Sequence, residues 1–190
     1  MSSETLSGLV ISFILGILTK VFGDRLAQAK LEVSHNSNSF LLKNCELEPQ
    51  VVRWSEGKNI RSDVLAYRVR VTNKHKRVLN TPAKNCVAWL DLRGARESYQ
   101  LAWVGTKETV TINVGDSREV DVCGIPIRYG IIIAPTESGY NFPRPRTLGG
   151  AGIPLDGMLR VTCENGPPAQ RRIRIDVATN NDALNITLVD

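Results

Sequence analysis

Two histidines, four cysteines and a scatter of single carboxylates are the side chains of this 190-residue chain that could support proton transfer, nucleophilic attack or metal binding. Nucleophilic catalysis needs a base within reach of a Ser or Cys, and a zinc site is usually built from ligands in local pairs. His35 precedes Asn36-Ser37-Asn38 and His75 lies within Lys74-His75-Lys76, so both read as turn histidines with no nucleophile beside them. Cys45, Cys86, Cys123 and Cys163 are spaced roughly forty residues apart, which rules out a CxxC pair and leaves zinc without a local ligand set. Asp91, Asp121 and Asp176 alternate singly out of strand-like segments, and a paired-carboxylate hydrolase would have to assemble them from distant strands. Gly149-Gly150-Ala151-Gly152 is glycine-rich but lacks the Lys and Ser/Thr that hold phosphate and magnesium. No GxxxxGK[ST], GxGxxG, HExxH or GxSxG occurs. These residues predict no catalytic group, no metal, no cofactor and no small-molecule substrate, and the expectation is a protein that is not an enzyme.

Lys and Arg exceed Asp and Glu by 24 to 19, a formal charge of +5 with a pI near 9.2. Short basic clusters at Lys74 to Arg77 and Arg171 to Arg174 never reach a run of five, and solvated strand faces account for them. Nucleic acid is therefore not an expected partner.

The elements that would position these groups divide the chain at residue 30. Thr5 to Thr19 carries no charge, and with Lys20 snorkelling toward headgroups the apolar run reaches Gly23. That is about 19 residues, close to the roughly 20 that cross a bilayer's hydrocarbon. We expect residues 1–29 to form a single-pass transmembrane helix with a juxtamembrane segment. A cleaved signal peptide would want a positive start, yet Met-Ser-Ser-Glu precedes the run. Two further placements compete with the span: a helix buried in a partner protein and a helix lying flat in the interface.

On a 3.6-residue period Gly8, Ser12 and Gly16 share one stripe, the small-residue pattern that lets two helices approach closely in lipid. Membrane lipid is thus one expected partner, and another membrane-protein helix or a second copy is the other. Lys20, Arg25 and Lys30 follow the run whereas Glu4 precedes it, which orients the remainder of the chain toward the cytoplasm. An even cysteine count would permit long-range disulfides in a secreted protein. The reducing side favours free, mostly buried thiols.

From Lys30 onward the period switches to two. Tyr67, Val69 and Val71 should point inward and Arg68 and Arg70 outward. Cys86–Leu92, Tyr99–Val104, Thr109–Val114, Glu119–Cys123, Tyr129–Ile133, Met158–Glu164, Arg171–Val177 and Leu184–Val189 read as further strands, with Leu31–Ser34 as a candidate edge. Turns rich in Gly, Asn, Asp and Pro separate them, as at Val114-Gly115-Asp116-Ser117. About nine short strands, each hiding one face, predict an all-β two-sheet sandwich over 30–190.

Tyr67 to Leu92 (YRVRVTNKHKRVLNTPAKNCVAWLDL) resembles the strand-loop-strand core of bacterial and archaeal immunoglobulin-like, adhesion-type domains, and Thr109 to Val122 (TVTINVGDSREVDV) is similar to their later strand-Gly-strand turn. The resemblance covers about a quarter of the chain and implies a fold, with no catalytic residue attached. The chain departs from that pattern in a long Pro/Gly-rich connection, Thr136 to Gly157. Tyr140, Phe142, Arg144 and Arg146 in it are residue types that anchor interfaces, so this loop is the expected interaction surface.

The functional expectation is a membrane-anchored protein-interaction module, an accessory or scaffold subunit of a membrane complex. A pilin- or archaellin-like filament subunit is the alternative, since it too joins a hydrophobic N-terminal helix to a β-sandwich. A sandwich-fold hydrolase using dispersed acids is the second alternative.

Overall fold

A computed structural model describes residues 3–47, 60–75, 80–96, 98–106, 109–127, 131–134, 146–150, 152–177 and 184–189. It begins with a 24-residue helix, α1 (Ser3–Leu26), about 36 Å long at 1.5 Å per residue. The apolar residues of α1 favour no face. Its side chains are described from Phe13 to Gly23 and at Arg25. Among the described residues no helix is long and apolar enough to cross a membrane, so the single-pass span expected from the sequence is not found there.

Eleven strands follow among the described residues: β1 (Leu31–Leu47), β2 (Ile60–Asn73), β3 (Ala83–Leu92), β4 (Tyr99–Trp103), β5 (Val110–Ile112), β6 (Ser117–Pro126), β7 (Ile131–Ala134), β8 (Arg146–Gly150), β9 (Leu155–Cys163), β10 (Gly166–Val177) and β11 (Leu184–Val189). All pair antiparallel, in the order β1-β2-β6-β4-β3-β9-β10-β11, with β5 beside β3 and the β7–β8 pair against β6. The all-β class predicted for 30–190 is what the chain adopts.

The sheet is continuous and nearly closed. Within β4, Tyr99 to Leu101 pair with β3 while Ala102 and Trp103 pair with β6, so this short strand carries the sheet around a corner. At the other end β1 comes beside β10 and β11, where the carbonyl of Ile186 lies 3.1 Å from His35 Nε2.

Inward residues from both halves make one core. Tyr67, Val69 and Val71 of β2 join Ala88 and Leu90 of β3, Leu159 and Val161 of β9, and Ile173 and Ile175 of β10. The period-two reading of these strands therefore describes their inner faces.

Four departures from the sequence reading have physical causes. The Leu31–Ser34 edge is the start of a 17-residue strand, whose register shifts between His35 and Ser39 and between Leu42 and Cys45 disguise its alternation. Asn44 at the second shift holds φ 55°, a left-handed conformation that Asn tolerates better than most residues.

His35 is accordingly a strand residue, its ring edge-on to Tyr67 with centroids 5.4 Å apart. The Thr136–Gly157 connection is interrupted by β8, whose backbone pairs with β7 from Ala134↔Arg146 to Ile131↔Gly150.

Arg68 does not point into solvent but is buried against Asp121. Val64 and Ala66 on the same side of β2 are buried too, and every residue of β6 from Val120 to Pro126 is buried, so both faces of this part of the sheet are covered. A register shift between Tyr67 and Arg68 places Arg68 opposite Asp121, and the Phe40 ring lies 4.7 Å from the guanidinium.

Asn73 ends β2 and is fully buried. Its amide group donates to the carbonyls of Thr81 (2.8 Å) and Ile112 (3.0 Å), and its side-chain oxygen accepts from the backbone N–H of Lys30 (3.3 Å). One side chain thus ties the start of β1 to β5 and to the segment entering β3. Asn73→Ala leaves these buried partners unmade and is expected to cost about 2–4 kcal/mol, a fall in Tm of roughly 5–15 °C in a thermal melt.

Candidate functional site

The outstanding surface feature is the helix. Phe13, Ile14, Leu15, Ile17, Leu18, Val21 and Phe22 are all exposed, Phe13 at 70% and Phe22 at 60%. Burying a large apolar side chain is worth about 1.5–3 kcal/mol, so seven of them in water forgo on the order of 10 kcal/mol. That is as large as the whole stability of a typical domain, about 5–15 kcal/mol. Thr19 is accommodated within the helix, its hydroxyl donating to the carbonyl of Leu15 at 2.6 Å.

On the expected small-residue stripe, Gly16 has open space where a Cβ would stand. The side chains of Gly8 and Ser12 lie outside the described residues.

The helix leaves the β domain through a short, well-held joint. Ala27 N–H donates to Gly23 O, and Ala29, itself buried, donates to the carbonyl of Asn165 at 2.9 Å. A Cβ on Gly166 would sit 2.6 Å from Ala29 O, so this close approach of two backbones requires glycine. Asn165 also reaches β3, accepting from Lys84 N–H (3.0 Å) and donating to Pro82 O (2.8 Å). Lys74 N–H donates to Lys30 O at 2.8 Å.

The dispersed acids of the hydrolase alternative are each matched to an arginine. Asp121 pairs with Arg68, Asp91 with Arg160 (3.2 Å) and Asp176 with Arg174 (3.1 Å). Burial pushes the Asp121 carboxyl above its ordinary value, against the pull of the Arg68 guanidinium. Oδ1 of Asp91 is buried and has no hydrogen-bond partner among the described residues.

The thiols are free, and Cys45, Cys86 and Cys123 are buried. Burial pushes Cys86 up to about 12 and raises the other three as well, which keeps them protonated and poorly nucleophilic at neutral pH.

A second feature lies toward the opposite end of β9 from the joint. Asp91, Met158, Arg172 and Val189 form a cross-strand row on the outer face of β3, β9, β10 and β11, with Arg93, Asp156 and Arg174 beside it. They line an open groove of about 550 Å³. Trp89 adjoins it, with the Arg160 guanidinium 5.9 Å from its ring.

Of the expected loop anchors, Tyr140, Phe142 and Arg144 lie outside the described residues, and Arg146 is placed by its backbone as the first residue of β8. Sequence reasoning missed both the groove and the basic residues around the joint. Only strand pairing and backbone contacts between distant segments bring them together.

No family model, curated protein or solved structure matches this chain.

Proposed function

We propose that the chain is a membrane-anchored interaction module, in which α1 holds a cytoplasmic β domain at the bilayer and docks on a neighbouring helix or on a second copy. The observation that carries this reading is the run of exposed apolar side chains from Phe13 to Phe22, which the β domain leaves uncovered. In sequence the uncharged run extends back to Thr5, and with Lys20 snorkelling it reaches Gly23, about 19 residues against the roughly 20 that cross hydrocarbon. Lys20, Arg25 and Lys30 after the run put the β domain on the cytoplasmic side by the positive-inside rule. Free thiols are compatible with that compartment.

The finer description of the β domain as an immunoglobulin-like sandwich belongs to the same proposal. It is supported by the passage of β4 from β3 to β6, which lets the two halves of the sheet face one another across a shared core. An interaction role is favoured over catalysis because Asp91, Asp121 and Asp176 are committed to arginines, while Trp89, Met158 and Arg172 present interface-type residues on an outer face.

Gly16, with open space around it, tests the docking half of the proposal. Gly16→Leu is expected to weaken helix association in a membrane reporter assay, because a branched side chain holds the two backbones apart. An unchanged signal would mean that the small-residue stripe plays no part in docking.

A further inference from the structure

We infer that the end of the β domain from which α1 departs seats directly on anionic phospholipid headgroups, through Lys30, Lys74 and Lys84; the inference rests on the membrane-anchor reading and names the lipid class it contacts. Lys30 immediately precedes β1, Lys74 follows β2 and Lys84 is the second residue of β3, so Lys30 is distant in sequence from the other two. Backbone contacts assemble them. Lys74 N–H bonds to Lys30 O, Lys84 N–H bonds to the Asn165 side chain, Glu164 N–H bonds to Lys84 O, and the carbonyl of the same Asn165 receives Ala29 N–H at the helix joint.

All three lysines are exposed, as are Lys20 and Arg25 on the last turns of α1. Among the described residues of the β domain the acids facing this end are Glu32, Asp116 and Glu164. Glu32 meets Lys74 at 3.4 Å, Asp116 holds Asn113, and Glu164 accepts from Asn85. Among the described residues neither Lys30 nor Lys84 has a carboxylate partner. His75 adds a further polar group beside the Gly115 turn. On the domain itself three lysines face three acids, and Lys20 and Arg25 of α1 bring the cations to five against these three and Asp24 of α1, so the excess of positive charge lies where the helix joins the domain.

Surface charge on a bilayer acts over about one Debye length, roughly 8–10 Å, so only residues at this end of the domain can feel it. The arginine groove, toward the other end of β9, is too distant to share the role. Each lysine within that range is worth about a fivefold change in occupancy at an anionic surface.

The full-length protein in vesicles of pure phosphatidylcholine, and of phosphatidylcholine with phosphatidylglycerol added, gives the test. A water-soluble acylating reagent modifies exposed amines, and mass spectrometry reads each site. Lys43, exposed on β1 away from the joint, is the internal reference. Acylation of Lys30 and Lys84 should slow about fivefold on the anionic vesicles, recover in high salt, and leave Lys43 unchanged. Equal rates on the two lipids, or equal slowing at Lys43, would overturn the inference. Slowing by inorganic phosphate on neutral vesicles would overturn it too, by showing a site for a free anion. Flotation with pure phosphatidylcholine reads the anchor separately. If the chain fails to float there and Lys30 and Lys84 are still protected by phosphatidylglycerol, the anchor reading falls and the headgroup contact stands.

Discussion

Arg68→Met and Asp121→Leu, made singly, are each expected to lower the stability of the β domain by about 3–5 kcal/mol, and the double variant to recover most of that loss. Both side chains are buried, at 7% and 4% exposure, on the outer side of β2 and β6, where the sequence pattern leads one to expect solvent. Removing either partner strands the other's charge in a region of low dielectric, and removing both leaves apolar groups beside Val64 and Ala66. Chemical denaturation of the four proteins forms a double-mutant cycle. Additive single effects would show that Arg68 and Asp121 are not coupled.

The same pair sets a pH trend. Burial is the larger influence on Asp121 and raises its carboxyl above the ordinary carboxylate value. A group raised on folding binds its proton more tightly in the native state, so its contribution to stability is greatest on the acid side and is lost as pH rises through the folded pKa. The wild type should therefore lose stability relative to the Arg68→Met, Asp121→Leu double variant as pH climbs out of the carboxylate range.

The second large effect concerns α1. Ile14→Arg together with Leu18→Arg places two guanidinium groups on one face of the apolar run. Each costs about 2.5–3.5 kcal/mol near the centre of a span, so insertion should fall by about three orders of magnitude or more. The β domain should melt as before, since α1 makes no substantial contact with any strand among the described residues. A double variant that floats with vesicles as completely as the wild type would mean that α1 is not inserted.

The inner faces of the strands are legible in the sequence because Tyr67, Val69 and Val71, or Ile173 and Ile175, alternate without interruption and face one core. Arg68 is misplaced by the same pattern, because a period of two assigns a residue to one of two faces and cannot say that both are covered. The full length of β1 is hidden by its two register shifts, which move polar residues such as Asn44 out of phase with their neighbours. In β8 the glycines of Arg-Thr-Leu-Gly-Gly argue for a loop, and only pairing with β7 makes it a strand.

The helix is legible from composition alone, while the joint is not. Nothing local in the sequence brings Asn165 to Ala29 and Lys84, or Lys74 to Lys30, because those contacts depend on the order of strands across the sheet. The three dispersed acids illustrate the same limit. Their alternation is visible, but the arginines that neutralise Asp91 and Asp121 lie on other strands.

Membrane anchoring requires α1 to reside in hydrocarbon while still attached to the β domain. Alkaline carbonate washing of neutral vesicles carrying the full-length protein, followed by flotation, measures this directly, since the wash strips surface-bound protein and leaves inserted chains in place. The intact chain is expected to stay with the floated lipid. Recovery of the whole protein in the wash as a freely soluble monomer would contradict an inserted anchor.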